Sequence, residues 1–250
     1  MKTPILEVCA NSLVSALAAQ IGGAYRVELC DNLYEGGTTP SLGCIKLARE
    51  KLDIKLNVLI RPRGGDFLYS DDEMEIIKRD IQTCKQVGVD GVVIGFLTPD
   101  GDIDKDRTRK MIKAAHPLSV TFHRAFDLCR DPYKALDELV SLGVDRILTS
   151  GQRNAAPQGA ELISELVELA GNNVIIMPGA GLKPENIKGF HLQVRAEEYH
   201  ATLYKEIESG MRYRKAGVYM GGSPMIPEYS NNQTDPERVR RFINALKESK

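Results

Sequence analysis

The run Gly88-Val89-Asp90-Gly91-Val92-Val93-Ile94-Gly95-Phe96 returns in outline as Gly143-Val144-Asp145-Arg146-Ile147-Leu148-Thr149. In both places a glycine closes a helical stretch, and a short β-branched run follows. Gly22-Gly23-Ala24 holds the same position before Arg26-Val27-Glu28-Leu29-Cys30. A helix stop followed by a short apolar strand, used repeatedly, marks a βα unit. Strands built this way run parallel and are covered by helices.

Working outward, strands are predicted at Ile5–Cys9, Arg26–Cys30, Leu56–Arg61, Gly91–Phe96, Val120–His123, Arg146–Thr149, Val174–Met177 and Gln193–Glu198. Helices alternate with them. The first runs from Ser12 to Ile21, and Thr39-Pro40 opens the second as cap residue and first-turn proline. Ser70 and Glu73 form a capping box for a helix reaching Val87. Others cover Lys105–Ala115, Asp131-Pro132 to Gly143, Glu161–Ala170, and a short piece from Lys183-Pro184 to Gly189. The last, Glu237–Lys247, is capped by Asp235-Pro236. Eight strands and their helices predict an α/β chain, a single (β/α)8 TIM-barrel domain over residues 1–250, whose length is ordinary for that fold. A doubly wound open sheet is the alternative, but the Gly-x-Gly-x-x-Gly fingerprint after the first strand is absent. Residues 199–234 contain Gly221-Gly222, Pro224, Pro227 and a polar run. They read as a long loop over the barrel mouth, with a short helix around Leu203–Glu208, before the C-terminal helix.

The charge balance is near neutral, with 33 Lys and Arg against 34 Asp and Glu. That removes the long-range field of a nucleic-acid binder. No apolar run approaches the roughly 18–20 residues a membrane span needs, and the N-terminus lacks the apolar core of a signal peptide. A cytoplasmic protein is expected, with its five cysteines as reduced thiols. Their odd number and irregular spacing make a poor disulfide framework, and no Cys-x-x-Cys suggests structural zinc. Cys44 and Cys84 fall in helices, and Cys129 follows strand five.

Strand alternation assigns the chemistry. Leu6, Val8, Val27, Leu29, Leu56, Val58, Ile60, Val120 and Phe122 suit the outer face beneath the helices. Glu7, Cys9, Arg26, Glu28, Cys30, Asn57, Arg61, Thr121 and His123 must then point inward. Charges inside a barrel are costly unless they pair or serve a site. Active sites on this fold gather where strands end, so Glu7, Glu28, Arg61 and His123 are expected to converge on one cleft. Two carboxylates and a histidine can divide acid and base roles. The structural alternative is a buried network in which Arg61 neutralises Glu7 or Glu28. The loops after the strands add anion-binding features: Arg61 with Arg63, Ser150-Gly151, and Gly179-Ala180-Gly181. A small anionic or phosphorylated ligand is therefore one expected partner, and His200 can reach the same mouth. Cys9 and Cys30 end adjacent strands, about 4.8 Å apart in a sheet. Two soft thiolates so placed could hold Cu(I), or they could simply be small core residues.

These stretches resemble the CutC family. The resemblance rests on Leu6-Glu7-Val8-Cys9, Arg26-Val27-Glu28-Leu29-Cys30, Glu35-Gly36-Gly37-Thr38-Thr39-Pro40-Ser41 and Ile60-Arg61-Pro62-Arg63-Gly64-Gly65-Asp66-Phe67. It continues through Thr121-Phe122-His123-Arg124-Ala125-Phe126-Asp127, Ile147-Leu148-Thr149-Ser150-Gly151, Gly179-Ala180-Gly181 and Met211-Arg212-Tyr213-Arg214. It implies a cytoplasmic TIM barrel, a homodimer, with a role in copper homeostasis and copper as the metal. It also implies Cys9 and Cys30 as the copper ligands, and no organic cofactor. One departure stands at strand eight. The family pattern Glu-x-His-Ser-Ser is here Glu198-Tyr199-His200-Ala201-Thr202, so no serine contact carries over.

Overall fold

A computed structural model describes residues 4–221 and 226–248. Gly222 and Pro224 of the expected loop lie outside the described residues. Eight parallel strands form a nearly closed (β/α)8 barrel: β1 (Ile5–Ala10), β2 (Arg26–Leu29), β3 (Lys55–Leu59), β4 (Gly91–Ile94), β5 (Ser119–Phe122), β6 (Arg146–Thr149), β7 (Ile175–Pro178) and β8 (Glu198–Ala201). Hydrogen bonds run without interruption from β7 through β1 to β8, and β7 and β8 face each other across the remaining seam. The helices are α1 (Leu13–Gly22), α2 (Leu42–Lys51), α3 (Asp71–Val87), α4 (Lys105–Ala115), α5 (Pro132–Leu142), α6 (Ala160–Ala170), α7 (Ile187–Val194) and α8 (Pro236–Lys247).

The alternation expected of the strands is observed. Leu6, Val8, Val27, Leu29, Leu56, Val58, Ile60, Val120 and Phe122 all join the main core between strands and helices. Cys9, Cys30, Leu59 and Val93 form a separate small apolar cluster inside the barrel. The capping box of Ser70 with Glu73 is present, and Asp131 and Asp235 cap α5 and α8. One cap differs. Ser41, not Thr39, opens α2 by accepting from the Cys44 N–H (3.3 Å). Thr39 instead accepts from the Arg61 backbone N–H (2.9 Å) and ties that strand end to the preceding loop.

The segment before α8 departs most from expectation. Strand eight begins at Glu198 rather than Gln193, because α7 runs on to Val194. Ile187, Phe190 and Val194 are its buried residues, and their helical spacing is the signal that places it. The short helix expected around Leu203–Glu208 is a strand, β9 (Tyr204–Glu208), paired antiparallel with β10 (Ser230–Thr234). Beyond the pair, the Ser209 N–H donates to the Tyr229 carbonyl (2.7 Å). The hairpin is held to the barrel by two bonds to the β1–α1 region: Asn11 Nδ2 to the Asn232 carbonyl and the Thr234 N–H to Ser15 Oγ, each 3.2 Å. No helix among the described residues is long and apolar enough to cross a membrane.

Candidate functional site

Inward side chains stack in two levels below the mouth. In register, Glu7 lies beside Arg26 and Cys9 beside Glu28, while β8 places His200 beside Glu7. At the lower level Arg26 binds both Glu7 and Glu198. Arg146 donates to Glu198 through Nε (2.7 Å) and to Ser119 Oγ (2.7 Å). Asn57 Nδ2 donates to Glu7 (3.3 Å). Glu7 is fully buried in this chain of charges and does not line the cavity above. The partner of Glu7 is therefore Arg26 rather than Arg61. Glu198 and Arg146 are not among the expected site residues; Arg146 starts β6, and Glu198 starts β8 rather than closing the strand expected at Gln193–Glu198.

At the upper level Cys9, Cys30, Glu28 and His200 come together. Cys9 Sγ lies 3.4 Å from Cys30 Sγ, and both thiols are free and buried. His200 Nε2 lies 2.9 Å from Glu28 and 3.8 Å from Glu7. Potential ligand atoms of Cys9, Glu28 and His200 all fall within 4.8 Å of one another. Burial opposes a charge on His200, but the Glu28 carboxylate and hydrogen bonds with Cys9 and Glu28 outweigh it and hold the imidazole well above its ordinary pKa. Burial likewise opposes the Glu28 charge, and the His200 charge and hydrogen bond overcome it, keeping the carboxyl below its usual range. The Cys9 thiol is pushed well up by its contact with Cys30, then by burial and by the Glu28 charge, against the pull of His200. Glu28 and His200 thus form an ion pair next to a protonated thiol.

Across the mouth, Arg61 and His123 sit just past the ends of β3 and β5. Arg61 donates to the carbonyls of Glu35 (2.7 Å), Gly37 (2.6 Å) and Gly65 (2.8 Å). Its guanidinium stacks 5.1 Å from the Phe67 ring centre. It neutralises neither Glu7 nor Glu28. The His123 ring lies 4.8 Å from Phe67 and packs so closely over Gly95 that a Cβ there would meet it at 2.4 Å. The Ala125 N–H donates to His123 Nδ1 (3.1 Å), which puts the ring proton on Nε2. Burial, then the Arg61 charge, lowers the His123 pKa to about 3, so the ring is neutral.

A cavity of about 670 Å³ opens between these two sides, lined by Cys9, Glu28, Arg61, His123, Gly181 and His200, among others. Cys30 lies behind Cys9 and does not line it. Arg63 turns away to Glu73 (2.6 Å) and Asp66 (3.1 Å). Ser150 and Gly151 are drawn into a loop network. Ser150 Oγ and N–H donate to Asp127 (2.9 and 3.0 Å), and the Gly151 N–H donates to Thr149 Oγ1 (2.9 Å). Gly179 lies under His200, where a Cβ would stand 3.2 Å from that side chain.

A parallel barrel whose mouth combines two thiols, a carboxylate–imidazole pair and a guanidinium defines the class. Comparison with known proteins narrows it. The model of the CutC family matches residues 4–205, and the chain belongs to that family. A CutC protein of Chromobacterium violaceum is 51% identical over 97% of this chain and 98% of its own length. The copper homeostasis protein cutC homolog of Homo sapiens is 45% identical over 97% of this chain and 88% of its own. The crystal structure of a CutC protein from Streptococcus agalactiae superposes with a TM-score of 0.76 at 38% identity, covering 80% of this chain and 98% of that one.

Proposed function

We propose that the chain handles copper by taking Cu(I) as cargo at the barrel mouth, through the thiolates of Cys9 and Cys30. The observation that carries this reading is the 3.4 Å approach of two free thiols inside the barrel, with His200 and Glu28 beside them. Soft thiolates select Cu(I) over harder ions, and the Glu28 carboxylate, or the His200 imidazole once it gives up its proton, would serve as a further donor. Cys9 faces the cavity and would meet the ion first. The human relative's name, a copper homeostasis protein, supports the choice of metal. A reducing compartment such as the cytosol belongs to this reading, because oxidised thiols could not bind. So does the homodimer that the family resemblance implies, which sedimentation tests.

The decisive measurement is anaerobic Cu(I) titration against a chromophoric chelator. The Cys9→Ser/Cys30→Ser double variant is expected to lose at least a hundredfold in affinity, about 2.7 kcal/mol. Unchanged affinity in that variant overturns the proposal.

A further inference from the structure

We propose that the cavity above the thiols also binds a small oxyanion-bearing molecule, a carboxylate or a phosphate, whose oxygen accepts hydrogen bonds from Arg61 Nε and His123 Nε2. Both atoms are buried and neither makes a geometrically good hydrogen bond; the Tyr69 hydroxyl, itself without a partner, lies near the Arg61 guanidinium, while His123 Nε2 has no acceptor beside it. Leaving a buried donor unpaired is costly, and here two occur on residues lining one cavity. Their proton states follow from geometry. Arginine is always protonated, and the Ala125 N–H occupies the acceptor nitrogen of His123, leaving Nε2–H as a donor.

Copper does not account for this pair. An N–H that carries its proton cannot ligate a cation; it calls for an acceptor. The surroundings favour a negative one. Besides the charged His200, five cations line the cavity, Arg61, Arg124, Lys183, Arg238 and Arg241, against the two carboxylates of Glu28 and Glu185; Arg124 is paired with Asp127 (2.7 Å). Both carboxylates are already paired, Glu28 with His200 and Glu185 with Arg241 (2.7 Å). Arg238 donates to the Tyr204 carbonyl (2.6 Å).

The donors are also held in place. Three carbonyls fix the Arg61 guanidinium, and Gly95, Phe67 and the Ala125 N–H fix the His123 ring. Phe67 packs against both side chains. Rigid, preorganised donors bind charge more strongly than mobile ones at a surface. Their position at the C-terminal ends of β3 and β5 is where barrels of this type carry ligand sites.

The test uses metal-free, reduced protein, titrated separately with inorganic phosphate and with malonate at matched ionic strength. Two readouts are followed: the thermal midpoint and the ¹⁵N–¹H signal of His123 Nε2. One probe is expected to bind saturably in the millimolar range, raising the midpoint and shifting the Nε2–H signal. Whichever binds assigns the phosphate or the carboxylate class. His123→Leu is expected to weaken that probe at least tenfold. Saturable binding by neither probe overturns the proposal, as does binding that leaves the Nε2–H signal unmoved. The signal is read in the unaltered protein, so the test stands even if the variant fails to fold. Because no copper is present, failure here leaves the thiol site untouched.

Discussion

Two histidines face one another across the same cavity and are held in opposite charge states. His200, on the β1–β2–β8 side, lies 2.9 Å from the Glu28 carboxylate and keeps its proton. His123, on the β3–β5 side, packs against Phe67 with the Arg61 charge nearby and stays neutral. Both are buried, so burial alone does not decide the outcome. The sign of the nearest charge does. The difference divides the mouth into a side rich in metal-type donors and a side rich in hydrogen-bond donors, which is why two different ligands can be read from one opening.

Removing the carboxylate from the first side breaks the contrast with the largest expected effect. Glu28→Gln leaves His200 buried without its counter-charge, and losing one partner of a buried ion pair costs about 3–5 kcal/mol. Denaturant unfolding at pH 7 measures it. In the folded variant His200 is expected to become neutral like His123, as an imidazole NMR titration would report. A stability loss under about 1 kcal/mol would mean that the pair contributes little.

The next effect comes from pH. The folded pKa of His123 is depressed, so its contribution is present above the unfolded value of about 6.5 and is lost as pH falls toward about 3. Between pH 6.5 and 4 the loss is about 3 kcal/mol. His200 has the opposite sign. Its folded pKa is raised, so its contribution is full below about 6.5 and is lost as pH rises through the folded value. The wild type should therefore lose unfolding free energy relative to His123→Leu as pH falls through the acidic range. Parallel curves would refute a neutral, buried His123.

The smallest effects sharpen the comparison. An added methyl at Gly95 meets the tethered ring of His123 at 2.4 Å, whereas one at Gly179 first meets Leu148 Cδ1 at 2.6 Å, the free end of a flexible side chain. Gly95→Ala is expected to cost about 1–3 kcal/mol through overpacking, and Gly179→Ala less. Thermal unfolding of the two variants ranks them, and a reversed order would mean that the His123 ring is not rigidly held.

The barrel and much of its mouth were legible in the sequence because outward-facing strand positions are aliphatic, so the polar remainder had to face inward. That placed Glu7, Cys9, Glu28, Cys30, Arg61 and His123 inside. Alternation gives the side of a residue but not its neighbours. Glu7 finds Arg26, which also binds Glu198, a residue distant in sequence. The Glu28–His200 pair was hidden because strand eight was expected five residues too early, and the polar run Glu197–Glu198 does not resemble a strand. Arg61 binds carbonyls from two loops, and loop backbone has no periodicity to read.

The bond between the Ser209 N–H and the Tyr229 carbonyl gives the molecule a natural grafting point. The chain leaves the hairpin and re-enters it at one bonded pair, on the far side of β9 and β10 from the barrel strands. A reporter peptide or a compact foreign domain spliced between those two residues would begin and end at neighbouring positions, as insertions require. Every barrel strand would remain uncut, and the cavity could be read out by a probe carried outside it.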